Sequence, residues 1–118
     1  MMMRSNSQFT PPTDVVELVD KLMVIVEIAG MRTGDFNITL QNRRLTITGT
    51  RQRPSVEGAA YHQVEIGFGE FRIDLTLPWA ADRDAVSANY EHGYLTIDLP
   101  RRPAEKVHVV DLDTQTQD

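Results

Sequence analysis

Cysteine is missing altogether from the 118 residues, which excludes disulfides, thiolate metal sites and a cysteine nucleophile. It leaves the redox compartment open. Long apolar runs are missing too: the longest, residues 22–26 (LMVIV), is far below the roughly 18 residues needed to cross a bilayer. Residues 1–10 hold one Arg and no apolar block, so no secretory signal is visible, and a soluble cytoplasmic protein without membrane contact is expected. Positive charge is in deficit, with twelve Lys and Arg against seventeen Asp and Glu and a net charge of −5. Affinity for a phosphate backbone comes mainly from Lys and Arg, so nucleic acid is not an expected partner. No repeat, low-complexity tract or amphipathic helix of any length stands out. What remains is a chain 41% hydrophobic and 25% charged, of a length that suits one globular domain.

Its dominant pattern has a period of two. Leu22, Val24, Val26 and Ile28 share one face of an extended segment, with Met23, Ile25 and Glu27 on the other. Phe36, Ile38 and Leu40 alternate with Asn37 and Thr39; Leu45 and Ile47 alternate with Thr46 and Thr48. Phe71, Ile73, Leu75 and Leu77 alternate with Arg72, Asp74 and Thr76, and Leu95, Ile97 and Leu99 with Tyr94, Thr96 and Asp98. Such alternation marks strands with one buried face. Turn residues stand where it stops: Gly30, Gly34, Gln41-Asn42, Gly49, Gly67, Gly69, Pro78 and His92-Gly93. Residues 80–88 have room for a helical turn. Short strands at near-regular spacing without intervening helices predict an all-β antiparallel sandwich. Residues 51–66 break the rhythm with Pro54 and Gly58, then regain strand character over 61–66. A loop of that length inside a sandwich is usually functional.

No constellation supports catalysis, a metal or a cofactor. His62, His92 and His108 fall on different elements, and none has a second His at metal-clasping spacing. Asp82 and Asp84 flank Arg83 as solvated loop charges, and Ser55 and Ser87 lack a nucleophile-elbow context. Gly67-Phe68-Gly69 reads as a turn and not a phosphate cradle. Arg43, Arg44, Arg51 and Arg53 read as a solvated hairpin face, and Trp79 after Pro78 as a packing anchor. No enzyme is expected.

Two stretches are specific. Residues 14–51 run from an acidic strand through an apolar strand ending in Ala29-Gly30, then two strands closing on Gly49-Thr50-Arg51. Residues 65–100 carry G-x-F-x-x-x-x-x-L-P at Gly69, Phe71, Leu77 and Pro78, then Ala88, Gly93-Tyr94-Leu95-Thr96-Ile97 and Leu99-Pro100. In this order they resemble the alpha-crystallin domain of small heat-shock proteins of the bacterial or plant type. The resemblance implies an immunoglobulin-like sandwich at residues 14–101, a short N-terminal arm at 1–13 and a C-terminal extension at 102–118. It implies an ATP-independent holdase chaperone of the stress response that binds unfolding client proteins.

It also implies a homodimer built by strand exchange, with Tyr61, His62, Gln63, Val64 and Glu65 crossing to the neighbouring subunit. Such a reciprocal exchange closes an exposed sheet edge with two-fold symmetry. An ordinary excursion folded back on its own subunit is the alternative. On the extension, Val107-His108-Val109 fits the family's I/V-x-I/V anchor, whose two side chains project to one side of an extended segment. The resemblance places the receiving groove between the strand at 36–40 and that at 85–90, with Phe36, Ile38, Leu40, Val86 and Ala88 as its apolar candidates. Higher oligomers are built through that contact; a last strand packed on its own domain is the alternative.

Two departures from the family stand out. The arm is short, and its apolar content is Met1, Met2, Met3 and Phe9. That content is either a small capture surface or a disordered tail. The basic residue that often stands two positions after the signature Phe is here Ile73, which is expected to pack, with Arg72 on the opposite face. An adaptor resembling the CS-domain co-chaperones, binding one defined partner, is the competing expectation.

Overall fold

The computed structural model describes residues 8–104 and residue 109, so Val107 and His108 lie outside the described residues. Seven strands form: β1 (Thr13–Glu17), β2 (Lys21–Glu27), β3 (Phe36–Gln41), β4 (Arg44–Arg51), β5 (Gly69–Thr76), β6 (Ser87–Glu91) and β7 (Tyr94–Pro100). They make a four-stranded sheet in the order β1-β2-β7-β6 and a three-stranded sheet in the order β3-β4-β5. Every pairing is antiparallel. This is the all-β sandwich that the alternation predicts.

The inward sides of the two sheets make one core. Leu22, Val24 and Val26 of β2, Leu45 and Ile47 of β4, Phe71 and Ile73 of β5, and Leu95, Ile97 and Leu99 of β7 are all buried. Removing each of these side chains from water contributes about 1.5–3 kcal/mol, which is why the inward set and not the outward one fixes the register. The outward side of the three-stranded sheet is polar, with Asn37, Thr48 and Arg72 in one cross-strand row and Thr39, Thr46 and Asp74 in the next.

Phe71 organises one end of this core. Gly49 lies opposite both Phe36 and Phe71 in the sheet. A Cβ on Gly49 would stand 2.7 Å from the Phe71 ring, so the glycine makes room for it. Phe36 and Phe9 both meet that ring edge-on, at 6.3 and 5.7 Å between centroids. The hairpins on either side of the core are tight, with Asn42 and His92 in left-handed φ at 57° and 56°.

Three local expectations change. The helical turn expected in residues 80–88 is a 3-10 turn, Arg83–Ala85, so the strand expected at 85–90 is β6 at Ser87–Glu91. Asp82 decides this, because its carboxylate accepts the Asp84 N–H at 3.3 Å and its carbonyl accepts the Ala85 N–H at 3.0 Å. Residues 61–66 make no strand within the chain and are exposed throughout. A strand needs a ladder to its side, and none of the described strands pairs with them. Third, the arm packs in part on the domain: Pro11 is buried, Phe9 is half-buried, and the Glu27 N–H donates to the Pro12 carbonyl at 2.9 Å.

Candidate functional site

Two sheets with seven strands leave four edges, and these edges hold the functional geometry. The β3 and β6 edges lie beside each other across the mouth of the sandwich. Phe36 of β3 and Tyr90 of β6 meet with tilted rings at 5.1 Å between centroids, and the Arg83 guanidinium donates to the Leu40 carbonyl at 2.6 Å. Between these two bridges runs a groove. Phe36, Ile38 and Leu40 point inward from β3, opposite Gly49, Ile47 and Leu45. Ala88 and Tyr90 point inward from β6, opposite Ile97 and Leu95.

Behind the groove Leu45, Ile47, Leu95 and Ile97 are fully buried, whereas Phe36, Ile38, Leu40, Val86 and Tyr90 are half-buried and Ala88 is exposed. The five candidates from the sequence lie on or beside these two edges, and no described strand pairs with either edge on that side. Because the Leu40 carbonyl turns away from β4 to Arg83, the alternation of an antiparallel ladder leaves Phe36, Ile38 and Leu40 with outward backbone groups. The groove offers both apolar side chains and an unpaired edge. Val109 is 80% exposed and touches none of it.

Tyr90 is the groove residue that sequence reasoning missed. Its hydroxyl donates to the Ile28 carbonyl at 2.7 Å and accepts the Met31 N–H at 3.2 Å, so the ring is locked as the groove's end wall. The signal was present in the two-residue step from Ala88 to an aromatic.

The long excursion, residues 52–68, is tied at its root. Arg51, expected on a solvated face, donates instead to the Gly67 carbonyl and, at 3.0 Å, to the Ala29 carbonyl. Its guanidinium stands over the rings of Phe9 and Phe68, at 4.9 and 5.1 Å from their centroids. Arg53 stands over Phe68 and Tyr61 and donates to the Ile66 carbonyl at 3.3 Å. Beyond this root Tyr61, His62, Gln63, Val64 and Glu65 all face water, and Val56, Tyr61, Val64 and Ile66 are each more than half exposed. Four large apolar groups on one excursion form a surface suited to a partner.

The remaining edges differ. At β5, the Gln8 N–H donates to the Glu70 carbonyl and the Gln8 side chain accepts the Glu70 N–H, so that edge is filled where the arm passes. Among the described residues no strand lies beside the outer edge of β1, and Val15 and Val16 on it are 48% and 40% exposed. Trp79 anchors the far end of this hairpin, donating from Nε1 to Glu17 at 3.2 Å beneath the Arg101 guanidinium.

On the outer face of the three-stranded sheet, Asp74 accepts Arg72 Nε at 2.7 Å and Thr46 Oγ1 at 2.7 Å. These donors hold its carboxyl at about 2, below the ordinary 3.8. Ile73, between them in sequence, is buried as expected. Among the described residues no three His, Asp or Glu side chains converge as a metal site, and no helix is long and apolar enough to cross a membrane.

Comparison with known proteins agrees with this architecture. Residues 14–113 match the Hsp20/alpha crystallin family. The chain is 31% identical over 103 residues to small heat shock protein C2 of Rickettsia felis, spanning 86% of this chain and 67% of that protein. It is 36% identical over 93 residues to a 17.0 kDa class II heat shock protein of Zea mays, spanning 78% of this chain and 60% of the other. Against such relatives it spans about two thirds of their length or less.

Among solved structures, a small heat-shock protein from Xylella fastidiosa, described as having a distinct high order structure, superposes with a TM-score of 0.78 at 25% identity. That match covers 89% of this chain and 97% of the other. The hspA protein of Xanthomonas axonopodis gives a TM-score of 0.76 at 28% identity, covering 84% and 100%. The chain belongs to the Hsp20/alpha-crystallin family of small heat shock proteins.

Proposed function

We propose that this protein is an ATP-independent cytoplasmic holdase, which binds unfolding polypeptides and keeps them from aggregating. The observation that carries the reading is the apolar set of Phe36, Ile38, Leu40, Val86 and Ala88 on or beside two edges that no described strand pairs on that side. Unfolding proteins expose apolar surface and unpaired strands, and those two features drive aggregation. A surface offering the same two features competes for them without nucleotide or catalytic chemistry.

The working unit in this reading is a strand-exchanged homodimer. Residues 61–65 of each subunit leave their own body and pair with the free β1 edge of the other. Three features support this: the excursion's exposed apolar side chains, its lack of a ladder at home, and the unpaired β1 edge. Above the dimer, Val107 and Val109 anchor the C-terminal extension in the β3/β6 groove of a neighbour by adding a strand to its edge. Two valines contribute at most about 1.5–3 kcal/mol each before the extension is ordered, so a single anchor is exchangeable. Stable assemblies need several anchors acting together. An anchor that releases easily leaves the groove open to clients.

The direct test is light scattering of a heat-labile client with equimolar subunits of this protein. Suppressed scattering is the expected result; scattering equal to the client alone removes the holdase reading.

A further inference from the structure

Gln8 and Phe9 sit on the domain as an added peptide sits on a sheet edge. The Gln8 N–H donates to the Glu70 carbonyl at 2.6 Å, and Gln8 Oε1 accepts the Glu70 N–H at 3.2 Å. One residue on, the Phe9 ring enters a slot. Phe71 meets it edge-on at 5.7 Å, and the Arg51 guanidinium covers its face at 4.9 Å. The same guanidinium also lies 5.1 Å from the Phe68 ring centroid.

The fourth wall is a missing side chain. Gly67 does not need to be glycine for its own backbone, since its φ is not left-handed. A Cβ there would lie 2.7 Å from Cβ and Cγ of Phe9, and its three nearest atoms all belong to Phe9. Edge, cation and hole together form a receptor for one aromatic ring on an extended strand.

The occupant is only partly enclosed. Phe9 stays half-buried, Gln8 and Thr10 are exposed, and a tether keeps the segment near at high effective concentration. An exchangeable cis ligand has these properties.

We propose that this slot is a second polypeptide-binding site, separate from the β3/β6 groove, and that Gln8-Phe9 is its built-in competitor. The ligand it fits is an extended segment of non-native protein bearing Phe, Tyr or Trp, whose backbone pairs with Glu70 while its ring replaces Phe9. This assignment rests on the holdase reading for its biological ligand, but the slot itself is testable alone.

The experiment is fluorescence anisotropy on the full chain with a dye-labelled peptide of the sequence of residues 6–13, and the same peptide with Ala in place of its Phe. Phe9→Ala empties the slot and is expected to bind the Phe peptide at least tenfold more tightly than the parent protein. The Ala peptide is expected not to bind. Adding Gly67→Ala to Phe9→Ala fills the hole with a methyl group and is expected to abolish the gain. A chain lacking residues 1–10 opens the slot without any substitution and is expected to match Phe9→Ala.

Equal affinity of Phe9→Ala and the double variant for the Phe peptide overturns the proposal. Run beside this, client light scattering separates the two readings. The peptide pattern without suppression of aggregation by any variant overturns the holdase while the slot stands. Equal suppression by all variants without the peptide pattern overturns the slot while the holdase stands.

Discussion

Arg51 Nε donates to the carbonyl of Gly67 across 3.0 Å, although the two residues are sixteen apart in the chain. One guanidinium thereby closes the root of the long excursion, and its third nitrogen reaches the Ala29 carbonyl of another loop.

Arg51→Ala leaves the half-buried Gly67 carbonyl and the exposed Ala29 carbonyl without their donor and strips the face from Phe9. With water able to reach the exposed acceptor, the net loss is that of a typical hydrogen bond, about 0.5–1.5 kcal/mol. Urea denaturation is expected to show a loss of that size. Arg51→Lys is expected to recover only part of it, because an ammonium cannot span both carbonyls in one plane.

Removal of residues 54–64 takes away the proposed crossing strand and leaves the root intact. Size-exclusion with light scattering is expected to give monomers in place of dimers. A dimer of unchanged mass after the deletion means that something other than strand exchange holds the subunits.

Val107→Ala with Val109→Ala is expected to shift any higher oligomer toward dimers in dilute solution. Ala88→Arg attacks the same contact from the other side. Ala88 is exposed on an edge strand, so the long side chain obstructs the groove without entering the core. Matching shifts from both changes are expected; a size distribution that neither change moves removes the anchor.

Asp74 supplies a pH signature. Its folded carboxyl titrates at about 2, below the ordinary 3.8, because Arg72 and Thr46 donate to its charged form. A depressed carboxyl stabilises the fold above the unfolded value, and that contribution is lost as pH falls from about 4 to 2. Asp74 is close to one-third exposed, so screening limits the effect to under about 1 kcal/mol. Comparison of denaturation curves is expected to show Asp74→Asn less stable than the parent at pH 7, with the gap closing as pH falls to 2.

The alternation of Leu22, Val24 and Val26, of Leu45 and Ile47, and of Leu95, Ile97 and Leu99 determined by itself which faces are buried, because strand side chains repeat every two residues. The same periodicity put Phe36, Ile38 and Leu40 on one side of a strand. Period-two patterns say nothing of which strands become neighbours. Only the tertiary structure brought β3 beside β6, locked Tyr90 against Phe36, and left the β1 edge open.

The residues most misread were those whose role depends on distant partners. Arg51 looked solvated because its acceptors, Gly67 and Ala29, are backbone carbonyls of other loops, and carbonyls leave no mark in a sequence. The sequence leaves Phe9 open between a capture surface and a tail because its slot is made of a glycine's absent side chain and a ring sixty-two positions away, and chain folding alone puts those together. The strand character of residues 61–66 was legible in their composition. Whether such a segment becomes a strand depends on an edge within reach, and none of the described strands of its own subunit pairs with it.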